Sequence, residues 1–341
     1  MKKPRAVLIS DIHYNLNTLP LADASLRQAV AKANDLKVPL IVAGDLHDTK
    51  ANLRAECMNA MLATFSEVTS CAYVIRGNHC SLNEKSTEHA LSFLSRKPVY
   101  VGGSYVDICD DEPFISKDIC LFPYHHDLSL LRERLKQVPK GSTVIMHQGL
   151  NGTASGEYIQ DKTALNLKDV AGLRVISGHY HTRQTIQLPD GGVWDYIGNP
   201  YTLNFAEATD PEKGFQVLYD DGSLEFVPTN LRKHIVFTLS AKEVNRGSIL
   251  IHNPGDIVKL KISGTKQELA KLNRETIIPR FGIEDAQVKI EFLPTDEGFT
   301  ATEKPKNLTQ AELLDSVIDS STDISKTESA KLKTLWRGYS E

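Results

Sequence analysis

Five times along this chain an apolar, β-rich run breaks off into residues that bind metals or move protons. The runs are AVLIS before DIHYN, PLIVA before GDLHD, CAYVI before RGNHC, STVIM before HQG, and GLRVIS before GHYH. Continuous rather than alternating hydrophobicity suits a strand whose two faces are both covered. Between the first three runs stand ADASLRQAVAKANDLK and NLRAECMNAMLATFSEV, both helix-like. Strand, helix, strand repetition predicts an α/β fold, a layered sheet flanked by helices. In such sheets, sites form where the carboxyl ends of several strands meet.

Further along, GGVWDYIGNP and KGFQVLYDDGSLEFVP read as shorter strands and hairpins, expected to build a second sheet. Residues 1–230 are read as one domain. From about 232 the texture changes: DIVKLKIS, KQELAKLNRETIIPRFG and AQVKIEFL read as strand, helix, strand, a small α/β domain over 231–295. A polar linker follows at 296–306, and 307–341 reads as a tail of two short helices. Thr309 with Glu312, and Ser325 with Glu328, fit capping boxes. Leu332, Leu335, Trp336 and Tyr339 fall on one apolar helix face.

Composition narrows the class. With 41% hydrophobic and 24% charged residues, the chain reads as a soluble globular protein. No apolar run is long enough for a membrane-spanning helix. MKKPRAVLISDIH is basic and then apolar, but Asp11 and His13 interrupt it too early for a signal peptide, so it is expected to be a strand. Five cysteines without a CxxC pair point to a reducing, cytoplasmic setting. The net charge of -4 means that any nucleic-acid role needs a local basic patch, metal ions or a partner.

The residues after the runs form the candidate site: Asp11 and His13, Asp45 with His47 and Asp48, Asn78 and His79, His147, and His179 with His181. Asp11/His13 and His179/His181 have i, i+2 spacing, which on extended chain points both side chains one way. Mixed carboxylate, imidazole and amide donors suit Mn²⁺, Fe²⁺ or Zn²⁺ better than Ca²⁺. There are enough donors for two ions, with a carboxylate such as Asp45 as bridge. Two neighbouring ions activate a water and neutralise charge on a phosphoryl group during in-line displacement.

The ordered set DxH, GDxxD, GNH, H and GHxH, each after a strand, resembles the calcineurin-like metallophosphoesterases over roughly residues 5 to 230. The resemblance implies a layered β-sandwich flanked by helices and two divalent ions, Mn²⁺ expected first, with Mg²⁺, Fe²⁺ or Zn²⁺ as alternatives. It makes Asp11, His13, Asp45 and His181 ligands of one ion, and Asp45, Asn78, His147 and His179 ligands of the other. His79 would sit over the scissile phosphate as the transition-state and leaving-group residue, and Asp48 is the second catalytic candidate.

Further features resemble one branch, the SbcD-type nuclease subunits. YIGNPYTLNFAEATDPEKGF is similar to the stretch after the last histidine motif there, and LFPYHHD to its Leu-Pro-Tyr segment. The small domain resembles a DNA-capping domain and the tail an ATPase-docking element. This implies a DNA exonuclease and endonuclease, a homodimer, working on DNA ends with an SbcC-like coiled-coil ATPase in repair and recombination. Three positions depart from that branch. Asn15 replaces a usual Gly, His47 a usual Phe, and Cys80 the acid expected to orient the catalytic His; Cys80 is expected to be a small buried neighbour.

Other residues receive plainer readings. His125 and His126 are expected in a loop beside the site, and His89, His234 and His252 lack motif context. The Met58, Met61, Leu62 and Phe65 stripe is expected as core, with a dimer face as the alternative. Two other functions stay open at this point: a phosphatase or cyclic-nucleotide phosphodiesterase on small substrates, and a catalytically silent scaffold for an ATPase.

Overall fold

The computed structural model describes residues 2–49, 53–83, 88–91, 99–101, 104–153, 163–210, 212–283 and 287–295. The linker and the two tail helices expected over 296–341 lie outside the described residues. All five runs are strands, divided between two sheets. β1 (Pro4–Ile9), β2 (Leu40–Val42), β3 (Cys71–Ile75), β4 (Val99–Val101) and β5 (Ser104–Cys109) belong to the first. β6 (Ile119–Phe122), β7 (Thr143–His147), β8 (Arg174–Gly178), β9 (Gln184–Gln187) and β10 (Val193–Tyr196) form the second, in the order β6-β7-β8-β10-β9.

The hairpin of β11 (Gly214–Tyr219) and β12 (Leu224–Pro228) does not join the second sheet as expected. It extends the first, giving the order β12-β11-β1-β2-β3-β5-β4. β11 is buried nearly throughout and pairs antiparallel with β1, Val7 opposite Val217. Its apolar run fits a two-sided interior position, and the sequence does not say which sheet offers one. Within each sheet the strands that precede the motifs run parallel, so their carboxyl ends lie along one edge.

Alternation along β1 shows the layering. Ala6 and Leu8 face the second sheet, in a buried layer with Ile41, Ile75, Ile145, Ile176 and Leu218. Val7 and Ile9 face outward against α1 (Leu19–Leu36) and α2 (Ala55–Phe65), meeting Leu26, Ala29, Val30, Met61 and Phe65. Met58 and Leu62 pack on that same core, so the α2 stripe is core packing. Helix Leu128–Leu135 covers the outer face of the second sheet, with Leu131 and Leu135 against Val144, Val175 and Trp194. Each such Leu, Ile or Val contributes about 1.5–3 kcal/mol by leaving water. Every motif-bearing strand is thus covered on both faces, and its polar end is the part left for chemistry.

A third sheet holds β13 (His234–Ser240), β14 (Ile257–Gly264) and β15 (Val288–Pro294), all parallel, around its own core of Val258, Leu260, Ile262, Ile277 and Phe281. The stretch KQELAKLNRETIIPRFG is two helices, Lys266–Leu269 and Arg274–Phe281, rather than the single one expected. Asn273 breaks it, because its side chain accepts from Thr276 N and caps the second helix. Among the described residues no helix is long and apolar enough to cross a membrane.

Candidate metal centre

The strand ends do not simply run out in extended chain. Asp11, His13, Asp45 and His179 have φ of 53°, 51°, 46° and 88°, a region that costs an ordinary L-residue about 1–2 kcal/mol. The i, i+2 argument from extended chain therefore does not hold: the chain turns sharply at Asp11 and His13, which still share one donor group, while His179 faces Asn78 and His181 faces His13 and Asp11. Backbone bonds hold the turns together, Asp11 N to Gly44 O at 3.1 Å, His13 N to Asp45 O at 3.0 Å and Tyr14 N to Leu46 O at 2.9 Å. Local strain is offset by this lacing of the β1 and β2 ends.

His147, at the end of β7, is fully buried. Its Nδ1 lies 2.8 Å from Ala43 O, which can only accept, so Nδ1 carries a proton. Its Nε2 then faces Asp45 Oδ2 at 3.1 Å and Asn78 Oδ1 at 3.0 Å. Asn78 Oδ1 is also 3.0 Å from His179 Nδ1. Asn78 Oδ1 carries only lone pairs, so each of these two ring nitrogens meets it through a proton or a cation. Burial lowers the pKa of His147, but Asp45 and then Asp11 outweigh it and raise it to about 9. Burial likewise raises Asp45, while His147, His13 and His79 hold it below the usual carboxylate range.

A second convergence lies beside the first. His13 Nε2 and His181 Nε2 are 3.2 Å apart, and His181 Nε2 is 4.0 Å from Asp11 Oδ1. Each ring is backed by a carboxylate on its other nitrogen: Glu207 Oε1 lies 2.8 Å from His181 Nδ1, and Asp48 Oδ1 lies 3.3 Å from His13 Nδ1. At His181 this hydrogen bond fixes the tautomer and aims the free nitrogen, whereas His13 Nδ1 meets Asp48 as a neighbouring charge and makes no hydrogen bond among the described residues. Burial lowers His13, but Asp48, Asp45 and Asp11 bring it above its ordinary value. Burial raises Glu207, yet His181 and Asn199 hold it down to about 2.

Asp11, His13 and His181 form one group whose ligand atoms lie within 4.8 Å of each other, and Asp11, Asp45 and His147 another. Asp11 belongs to both groups, and Asp45, the carboxylate expected as bridge, to the second. These mixed carboxylate and imidazole donors fit divalent cations.

His79 stands at the rim. Its N–H donates to Asp45 Oδ1 at 2.9 Å, and its ring Nδ1 donates to the backbone carbonyl of Asp48 at 3.0 Å. The Asp48 carboxylate faces His13 instead, with Asn15 Nδ2 holding its other oxygen at 3.1 Å. Asn15 is not in the left-handed region that would explain a glycine there; its side chain makes the turn, accepting from Asn17 N and Thr18 N. Cys80 is buried in the α-helical face of the first sheet, and burial raises its thiol to about 11. Arg76 pins the GNH loop, donating to Asp110 O at 2.6 Å and Ser81 Oγ at 2.7 Å.

The family of calcineurin-like phosphoesterases matches this chain over residues 4–183. The chain belongs to that family. Members use two divalent metals, and the Asp and His groups of this phosphoesterase are donors of the kind such ions take. Among solved structures it is similar to a dimetal phosphatase from Danio rerio, at 14% identity over 64% of this chain and 93% of that one, with a TM-score of 0.41. A search of curated proteins finds no match.

Of the motif residues read from the sequence, Asp11, His13, Asp45, Asp48, Asn78, His79, His147, His179 and His181 are brought to this one edge, whereas His47 joins none of the donor groups among the described residues. His125 lies beside it, its N–H near Gln148 Oε1 and its Nε2 2.6 Å from Arg134 Nη1. His89 faces Asp110 and His234 faces Thr202, both away from the convergent donors. Glu207 is the functional residue that sequence reasoning missed. It lies within YIGNPYTLNFAEATDPEKGF, where nothing in local spacing ties it to His181.

Proposed function

We propose that this phosphoesterase is an SbcD-type nuclease subunit that hydrolyses phosphodiester bonds at DNA ends, as a 3′-to-5′ exonuclease and an endonuclease, with Mn²⁺ as its ion. The observation that carries the chemistry is that five strand ends bring together the donor groups Asp11, His13, His181 and Asp11, Asp45, His147, with Asn78 Oδ1 against both His147 and His179. Asp11, His13, Asp45 and His181 would hold one ion, and Asp45, Asn78, His147 and His179 the other. Two ions bound there supply an activated water and charge neutralisation at the phosphoryl group. His79, with Nδ1 committed to the Asp48 carbonyl, presents Nε2 to the leaving oxygen and stabilises or protonates it. Asp48 keeps both His13 and His79 in place.

DNA as substrate is supported by the branch-like stretch Tyr196–Phe215, whose Glu207 packs against His181. In this reading residues 1–230 are the nuclease domain, 231–295 the DNA-capping domain, and 307–341 dock an SbcC-like ATPase on a homodimer. A phosphatase or cyclic-nucleotide phosphodiesterase is the second reading, favoured by the net charge of -4.

The test is release of nucleotides from 3′-labelled linear duplex DNA with Mn²⁺, with Asp45→Ala as control. Metal-dependent release by the wild type alone is the expected result. Hydrolysis of a generic phosphodiester dye with no DNA cleavage, even with the ATPase added, would favour the small-substrate reading. Failure to bind two ions would instead favour a silent scaffold.

A further inference from the structure

Glu207 sits on the short 3-10 turn Phe205–Thr209. Its carboxylate accepts from His181 Nδ1 at 2.8 Å, Asn199 Nδ2 at 2.9 Å and Leu203 N at 3.1 Å, with Lys213 Nζ at 3.8 Å. Lys213 is itself buried, and its Nζ donates to His181 O at 3.0 Å and to Asp210 Oδ2 at 2.8 Å. His181 is thereby gripped at its outer ring nitrogen and at its carbonyl, which leaves Nε2 turned toward His13 and Asp11.

The same segment grips the three-stranded sheet. His234 N donates to Thr202 Oγ1 at 2.8 Å, and the His234 ring packs edge-on against Phe205 with centroids 5.0 Å apart. Lys289 Nζ lies 5.4 Å from the centroid of the Phe205 ring. His234 opens β13 and Lys289 lies in β15. One short stretch therefore holds a metal-facing imidazole with Glu207 and the third sheet with Thr202 and Phe205, five and two residues before it.

We propose that Glu207 is the positioning residue that aims His181 at its ion, and that the contacts of Thr202 and Phe205 with the three-stranded sheet couple that sheet to the ion's affinity. A carboxylate on Nδ1 fixes the ring tautomer and raises the basicity of Nε2, and loss of such a partner weakens metal binding by about 10–100-fold. The inference rests on the family's metal centre and not on DNA as the substrate.

The experiment is Mn²⁺ titration of the full chain, followed by the paramagnetic resonance signal of the free ion, alongside thermal unfolding of the metal-free protein. Glu207→Gln keeps the side chain's size and its acceptor oxygen but removes the charge. It is expected to weaken one of two ions by about 10–100-fold and leave the other unchanged. Glu207→Asp, with the charge kept, is expected to recover part of that loss. Thr202→Val with Phe205→Ala should weaken the same ion by about 3-fold or more, and add less than its separate effect when combined with Glu207→Gln. Two ions at wild-type affinity in Glu207→Gln overturn the positioning role, as does equal loss of both ions with a lowered unfolding temperature. Wild-type affinities in the Thr202 and Phe205 double variant overturn the coupling. A wild type that binds two ions but cuts no DNA even with the ATPase added refutes the nuclease reading and leaves this one standing.

Discussion

Gly77 lies directly against the carboxylate of Asp45: a methyl group on its Cα would stand 2.1 Å from Asp45 Oδ1 and 2.5 Å from Asp45 N. The glycine is required for space, because the Asp45 side chain and the start of the GNH loop occupy the volume that a Cβ needs. Gly77→Ala must push Asp45 away from His147 or break the bond from His79 N to Oδ1. We expect weaker metal binding and a fall in turnover of about 10–100-fold, read from Mn²⁺ stoichiometry and dye-substrate hydrolysis. Wild-type metal content and rate in this variant would mean that the loop can shift freely.

His79 is held by its backbone N–H and by Nδ1, so its remaining ring nitrogen is the part free to meet substrate. His79→Ala should keep both ions and lose about 10²–10⁴ in turnover, the usual contribution of a positioned acid. Metal analysis beside the rate separates the roles. Loss of an ion would make His79 a ligand, a role that its place in a group with His13 and Asp48 makes worth testing.

The five motif-bearing strands were legible because each is a continuous apolar run, and their common edge followed from the α/β pattern. What the sequence withheld depends on contacts across long separations. The β11–β12 hairpin reads identically whichever sheet receives it, and only the open side of β1 decides. The left-handed turns at Asp11 and His13 are set by bonds to Gly44 and Asp45, and neither residue type announces them. Glu207 was invisible for the same reason: its partner His181 is 26 residues away, joined only through the path of the chain after β10.

His125 supplies a pH prediction. Burial, then Arg134 and Arg76, push its pKa down to about 4, from about 6.5 in an unfolded chain. Between those values the unfolded state binds the extra proton and the folded state does not, so stability falls as pH drops from about 6.5 to about 4. Partial exposure discounts the loss to about 1–2 kcal/mol. His125→Gln should unfold in urea with a shallower dependence on pH across this window. Equal slopes for variant and wild type would place the acid sensitivity elsewhere.

His47 is 1% exposed, and among the described residues neither of its ring nitrogens has a hydrogen-bond partner. Burying an unsatisfied polar ring costs about 1–3 kcal/mol, and burial accordingly holds its pKa below the ordinary histidine value. A phenyl ring carries no such penalty. The adjoining cavity of about 310 Å³, lined by Tyr14, Asn15, Asp48, Arg54 and Cys57 among others, offers room for its slightly larger outline. His47→Phe is therefore expected to raise the unfolding free energy by about 1–2 kcal/mol, measured in urea at neutral pH. If turnover falls while stability rises, His47 is retained for function at the expense of the fold, as happens at active sites. A variant less stable than the wild type would show instead that the imidazole is satisfied in solution, and the cavity beside it would be the place to look for its partner.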